Sequence, residues 1–250
     1  MSRLLGNFRT KLATLTMFLG LGLSALAGST VPAAAQDSGK PGDFDYYAMV
    51  LSWSPTFCAG GASGRNDLQC NGQRPYAFVL HGLWPQYEKG YPVACHTSQK
   101  PWVGQKTIDG MLDIMPSPGL VIHEYKQHGT CSGLDPKGYF DLARALYATI
   151  KIPEKFKAPS APIDTSPADV EAEFLKANPK LQADQISIGC GKRGALSEIK
   201  ICFASNGTLR ACGKNEDQTR ACANPHVTLP PVRGRKSGGA SGAEDGAQPI

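Results

Sequence analysis

A chain of 250 residues with 26 basic and 21 acidic side chains has room for one sizeable domain and a formal charge of only +5. Three of the cations (Arg3, Arg9 and Lys11) fall in a segment expected to be removed, which leaves +2. That length needs neither metal nor oligomerisation to bury a core, and that charge excludes a uniformly basic surface, so any nucleic-acid face must be local.

Residues 1–35 read as a secretory signal peptide. The three cations form its n-region, Leu12 to Ala27 is apolar or small, and Ala33-Ala34-Ala35 supplies a cleavage site before Gln36. A membrane anchor is the alternative, but the apolar run is short of the roughly 20 residues a span needs. Residues 36–43 are polar, with Gly and Pro, and are expected to be a flexible leader. Tyr46 to Trp53, rich in aromatic and long apolar residues, predicts a buried strand, and Gly60 to Gly72 a loop. A second strand is expected from Tyr76 to His81, stopped by Gly82 and Pro85.

Helical spacing of Ile108, Met111, Leu112 and Met115 predicts a helix over 107–115, ended by Pro116 and Pro118. Further helices are expected over 120–128 and 139–150. Residues 153–167 are Pro-rich and loop-like. Ser166-Pro167-Ala168-Asp169 then opens a helix to about Ala177, with an N-cap, a first-turn proline and an acid three residues on. Strands are expected at 185–190, 198–203 and 209–212. The stretch from Arg233 to Ile250 has almost nothing to bury and is expected to be disordered. Strands, then helices, then strands predict one α+β domain over 44–232, an antiparallel sheet packed against several helices.

All eight cysteines follow the signal segment, and an even count in an exported chain reads as disulfides. No C-x-x-C pair supports zinc. Proximity favours Cys58–Cys70 and Cys202–Cys212, while spacing leaves the remaining connectivity open.

Two short segments concentrate the chemistry. In Phe78-Val79-Leu80-His81-Gly82-Leu83-Trp84-Pro85, alternation puts Phe78 and Leu80 on one face and Val79 and His81 on the other. His81 then stands at a strand end, beside a glycine that permits close approach, with Trp84 in reach to stack on a base. A core histidine beside a core tryptophan is the plain alternative. In the second segment, 123–131, His123, Glu124, Gln127 and His128 fall within an arc of about 140° on a helix. Two imidazoles, a carboxylate and an amide rarely share one face for structural reasons alone, because each needs a partner once buried. A solvated polar face is the alternative. The histidines are five residues apart, where a zinc-sharing H-E-x-x-H pair needs four, so no metal ligands and no cofactor are expected.

These two segments resemble the active-site signatures of the ribonuclease T(2) family, which includes fungal acid ribonucleases and plant S-glycoproteins. Phe78 to Pro85 matches the first without a mismatch, Val121 to Cys131 matches the second at all but one position, and Trp53 to Cys58 resembles an early Trp-x-Pro-x-x-Cys segment. The resemblance spans about residues 44 to 222. It implies an exported endoribonuclease, secreted or periplasmic, a monomer free of the membrane after signal cleavage, acting on single-stranded RNA. It implies that His128 takes the 2′-OH proton, that His81 protonates the leaving 5′-oxygen, that His123 holds the phosphate and that Glu124 stabilises charge. Trp84 would hold a base or pack beside His81. It also implies the pairs Cys95–Cys131 and Cys190–Cys222, and a core place for Tyr125.

One position departs from the family. A cation usually precedes the second catalytic histidine, where this chain has Gln127, with Lys126 one place earlier. Lys126 is turned about 160° from Glu124 and His128, so it reaches the site only by curling over His123. The resemblance therefore implies a working enzyme of lowered turnover. The rivals are a non-catalytic RNA- or protein-binding member of the same fold, favoured only by Gln127, and a zinc hydrolase.

Overall fold

β1 (Tyr46–Trp53) is buried along its whole length, which suits a strand with neighbours on both sides and layers on both faces. A computed structural model describes residues 39–60, 67–70, 72, 74–98 and 100–233. The expected signal segment, positions 36–38 of the leader and the expected tail beyond Arg233 lie outside the described residues. After β1 come α1 (Ser54–Ala59), α2 (Asp67–Cys70), β2 (Phe78–Gln86), α3 (Gln105–Asp109), α4 (Pro118–Gln127) and α5 (Pro136–Thr149). They are followed by β3 (Ile163–Thr165), α6 (Pro167–Ala177), β4 (Ile186–Cys190), β5 (Leu196–Ala204), α7 (Gln218–Ala221) and β6 (Val227–Leu229). Four strands make an antiparallel sheet in the order β2-β1-β5-β4, and β3 pairs with β6. The fold is α+β.

The two faces of the sheet are chemically distinct. Tyr47, Met49, Leu51 and Trp53 of β1 join Phe78, Leu80 and Leu83 of β2 and Ile199, Ile201 and Phe203 of β5 in the main core, against Phe140, Val170 and Phe174 of the helices. Fully burying one such side chain contributes about 1.5–3 kcal/mol. Val50, Ser52, Glu198 and Lys200 belong to the opposite face, paired across β1 and β5 as Val50 with Lys200 and Ser52 with Glu198.

β2 runs past both residues expected to stop it. It is an edge strand, so Pro85 breaks no ladder on its outer side. Its outer edge is satisfied by other means: Leu80 N–H donates to the Ile114 carbonyl at 2.9 Å, and the Tyr139 hydroxyl donates to the Leu83 carbonyl at 2.8 Å. The expected helix over 107–115 is shorter and earlier, ending at Asp109, and Met111 and Met115 reach the core from turns. α5 begins three residues early, at Pro136, where Asp135 caps Gly138 N–H. α6 starts as expected, with Ser166 accepting from Asp169 N–H. Residues 209–212 are not a strand. They make only an isolated bridge at Leu209 and are tied down by Cys202–Cys212. The Pro-rich stretch hides β3, whose partner β6 lies far along the chain. Residues 39–43 of the leader are held in a turn by Gly42 N–H donating to the Cys131 carbonyl at 2.9 Å, and are not free.

All four expected disulfides are present: Cys58–Cys70, Cys95–Cys131, Cys190–Cys222 and Cys202–Cys212. Cys95–Cys131 pins the loop after β2 beneath the end of α4. A crosslink over 36 residues of chain stabilises the fold by about 2–4 kcal/mol through the unfolded state.

Candidate active site

A β-bulge puts His81 where it is. The β1–β2 register steps from Val50–Gly82 to Leu51–Leu80, which leaves His81 with no partner across the ladder. Leu80 and Leu83, three residues apart, therefore both reach the core, and His81 and Trp84, also three apart, both reach the other face. Without the bulge, simple alternation would put one of each pair on the wrong side. The His81 Nδ1 lies 2.8 Å from the hydroxyl of Ser52 on the neighbouring strand.

The second imidazole comes from a helix end. Ser117 caps α4 by accepting from Leu120 N–H, and Pro118 opens it. α4 packs beside the edge strand β2, with Val121 and Tyr125 in the main core. Glu124 and His128, one turn apart, face the indole of Trp84. His128 is the residue at which the helix ends, its N–H still donating to the Glu124 carbonyl at 2.9 Å. Gly129 is required next, since a Cβ there would fall 2.3 Å from the Tyr125 ring.

Trp84 joins the two. His128 stacks on the indole at 4.8 Å between centroids and 23° between planes, and His81 meets it edge-on at 5.6 Å. The indole Nε1–H donates to Glu124 Oε2 at 2.7 Å. Glu124 is fully buried, and its Oε1 lies 3.3 Å from His81 Nε2, an ion pair by distance that is not aligned as a hydrogen bond. Gly82 makes room for this carboxylate. A Cβ at position 82 would sit 2.0 Å from Glu124 Oε2.

The imidazoles are tuned in opposite directions. Burial pulls the His81 pKa down, but contact with Glu124 and the charges of Glu124 and Glu198 outweigh it, so the pKa is raised above 6.5. At His128 burial dominates over the pull of Glu124. With the like charges of His81 and His123 added, the pKa is lowered to about 4. In mildly acidic solution one ring carries a proton to give and the other has a free site to accept one.

Trp84, His123, Gln127 and His128 line a cleft of about 500 Å³, with His81 and Glu124 set beside Trp84 outside that lining. His123 is exposed and Gln127 half-buried. Lys126 is not in this cleft. It faces a separate groove with His96, Lys100 and Thr130, which Gln127 also borders. Helix geometry separates neighbouring residues in this way.

Sequence reasoning missed several residues here. Ser52, read as part of a buried strand, holds His81. Lys200 lines the cleft with its ammonium 5.4 Å from the Trp84 ring centroid. Arg220 and Tyr91 also line it. The alternation Ile199-Lys200-Ile201 carried the signal that Lys200 points away from the core, but not which face it shares.

The model of the ribonuclease T2 family matches residues 44–212. The chain belongs to the ribonuclease T2 family. A ribonuclease of Aeromonas hydrophila is 34% identical over 215 residues, covering 84% of this chain and 97% of that protein. Ribonuclease I of Escherichia coli is 29% identical over 227 residues, covering 74% and 85%. Among solved structures, an RNase-related protein from Calystegia sepium superposes with a TM-score of 0.60 at 21% identity, covering 78% of this chain and all of that one. Trichomaglin, an S-like ribonuclease, gives 0.60 at 20% identity, covering 76% of this chain and all of that one. These structures share the fold. Membership of the T2 family makes this protein an endoribonuclease, with RNA as its substrate class.

Proposed function

We propose that this T2 ribonuclease cuts single-stranded RNA by intramolecular transesterification, with His128 as general base and protonated His81 as general acid. His128 takes the proton of the ribose 2′-OH as the 2′-oxygen bonds to phosphorus. The bond from phosphorus to the 5′-oxygen breaks, and His81 gives that oxygen a proton. The products are a 2′,3′-cyclic phosphate and a free 5′-hydroxyl, and DNA, lacking the nucleophile, is not cut. The observation that carries this reading is the packing of two oppositely tuned imidazoles on one indole. Glu124, buried against His81 and Trp84, keeps His81 charged and fixes the indole. His123, Gln127 and Lys200 line the cleft where a phosphate is held. Lys126 contributes only to the neighbouring groove.

The mechanism uses no metal or cofactor, and one chain supplies every group it needs. Four disulfides support export to an oxidising compartment, the periplasm or the medium. Among the described residues no helix is long and apolar enough to cross a membrane.

With single-stranded RNA in mildly acidic buffer and excess EDTA, the protein is expected to leave cyclic-phosphate ends. His81→Ala and His128→Ala are each expected to slow cleavage by about 10²–10⁴-fold. Intact RNA with the parent protein, or cleavage stopped by EDTA, contradicts the proposal.

A further inference from the structure

Next to the catalytic cleft a smaller cavity of about 270 Å³ is walled by β4, β5 and α7. It shares Lys200, Asn215 and Arg220 with the cleft, so the two adjoin. Ser187, opposite Lys200 in the β4–β5 register, lines it. This side chain is 1% exposed, and its hydroxyl has no hydrogen-bond partner among the described residues. Buried hydroxyls are normally satisfied, so one left over beside a cavity marks a place for a bound polar group. The other groups are the Glu198 carboxylate, the Lys200 ammonium 3.5 Å from it, and Arg220 on α7. Asn215 is scaffold, its side-chain amide already committed to Gln86, Tyr87 and Gly90.

Size and chemistry select the occupant. The volume lies just below the usual span of ligand sites, about 300 to 1,000 Å³ for whole small molecules, and suits one planar ring system. A carboxylate accepts from two adjacent donors, and guanine presents N1–H beside its N2 amino group. Cationic side chains donate to guanine O6 and N7. Adenine has no ring N–H on that edge, and uracil has one donor where guanine has two. We propose that this cavity is a guanine subsite for a nucleotide adjoining the scissile linkage, with Glu198 accepting from N1 and N2 and with Lys200, Arg220 and Ser187 serving the remaining edge. The assignment rests on the reading that the adjoining cleft cuts RNA.

The test measures kcat/KM on dinucleoside monophosphates that differ in one base. Guanine is expected to be favoured over adenine by about tenfold at one of the two positions, with Ser187→Val and Glu198→Gln each bringing that ratio within about twofold. A ratio is used because the Glu198 charge also acts on His81, and that effect cancels between substrates. No guanine preference at either position, or a preference that survives both variants, overturns the subsite. Calorimetric titration of His81→Ala protein with guanosine and adenosine 5′-monophosphates separates the two proposals. Guanosine monophosphate is expected to bind about tenfold tighter, and Ser187→Val in the same background is expected to equalise the two. Equal affinities overturn the subsite even if RNA is cut. Selective binding by a parent protein that cuts no RNA supports the subsite and overturns the mechanism instead.

Discussion

His81, on the bulged edge strand, has a neighbour at each ring nitrogen: the Ser52 hydroxyl at Nδ1 and the Glu124 carboxylate at Nε2. His128, at the end of α4, is held by its flat face on Trp84, and its buried Nδ1 has no hydrogen-bond partner among the described residues. One ring is fixed by polar contacts and kept charged; the other is fixed by stacking and kept neutral. The same side chain is tuned in opposite directions because His81 touches the Glu124 carboxylate and feels Glu198 as well, whereas burial dominates at His128. Glu124 sits between them and makes the difference.

The largest expected break in this contrast comes from Gly82→Ala. The new methyl group collides with Glu124 Oε2 and with the Trp84 indole nitrogen, so the carboxylate must shift. Displacing the carboxylate releases Trp84 and with it the stacked His128. Turnover on RNA is expected to fall about 100-fold, with about 1–3 kcal/mol of stability lost to overpacking. Steady-state kinetics and chemical denaturation check both. A variant with parental turnover would show that Glu124 does not hold the site.

Glu124→Gln keeps the shape and removes the charge. On the proposed mechanism the parent's turnover is expected to rise with pH as His128 loses its proton, near pH 4, and to fall above 6.5 as His81 loses its own. Glu124 raises the pKa of both rings, so its neutralisation lowers both. The acidic and alkaline limbs should therefore both move to lower pH, the alkaline one because His81 loses the charge it touches, with a drop of roughly tenfold at the optimum. A pH–rate profile that loses height without moving would assign Glu124 a purely steric role.

How much of this was legible beforehand depends on whether the cause was local. Ser166 with Pro167 and Asp169 announces the start of α6 because a cap is satisfied within four residues. The arc of His123, Glu124, Gln127 and His128 follows from helix geometry alone. The bulge at His81 does not, since alternation over 78–81 fits a regular strand and only the pairing with β1 reveals the extra residue. Pro85 stops a strand only if both edges are paired, and edge status is a property of the strand order. Ser52 and Lys200 join the site for the same reason: β1 and β5 bring them to the His81 face from 29 residues before it and from more than a hundred after. β3, three residues in a Pro-rich loop, exists because β6 pairs with it.

The smallest expected effect is Gln127→Lys, which tests the helix side of the comparison. Gln127 lines the cleft beside His123 and His128, so a lysine there places an ammonium where a neutral amide now offers a weaker donor. Lys200 already supplies one cation to that cleft, partly neutralised by Glu198 at 3.5 Å and Glu216 at 4.0 Å. The gain is therefore expected to be modest, about threefold in kcat on single-stranded RNA. It should be larger in a Lys200→Met background, where Arg220 is the cation left lining the cleft among the described residues. Equal gains in the two backgrounds would mean that Lys200 does not act on the phosphate, and no gain in either would mean that Gln127 costs this enzyme nothing.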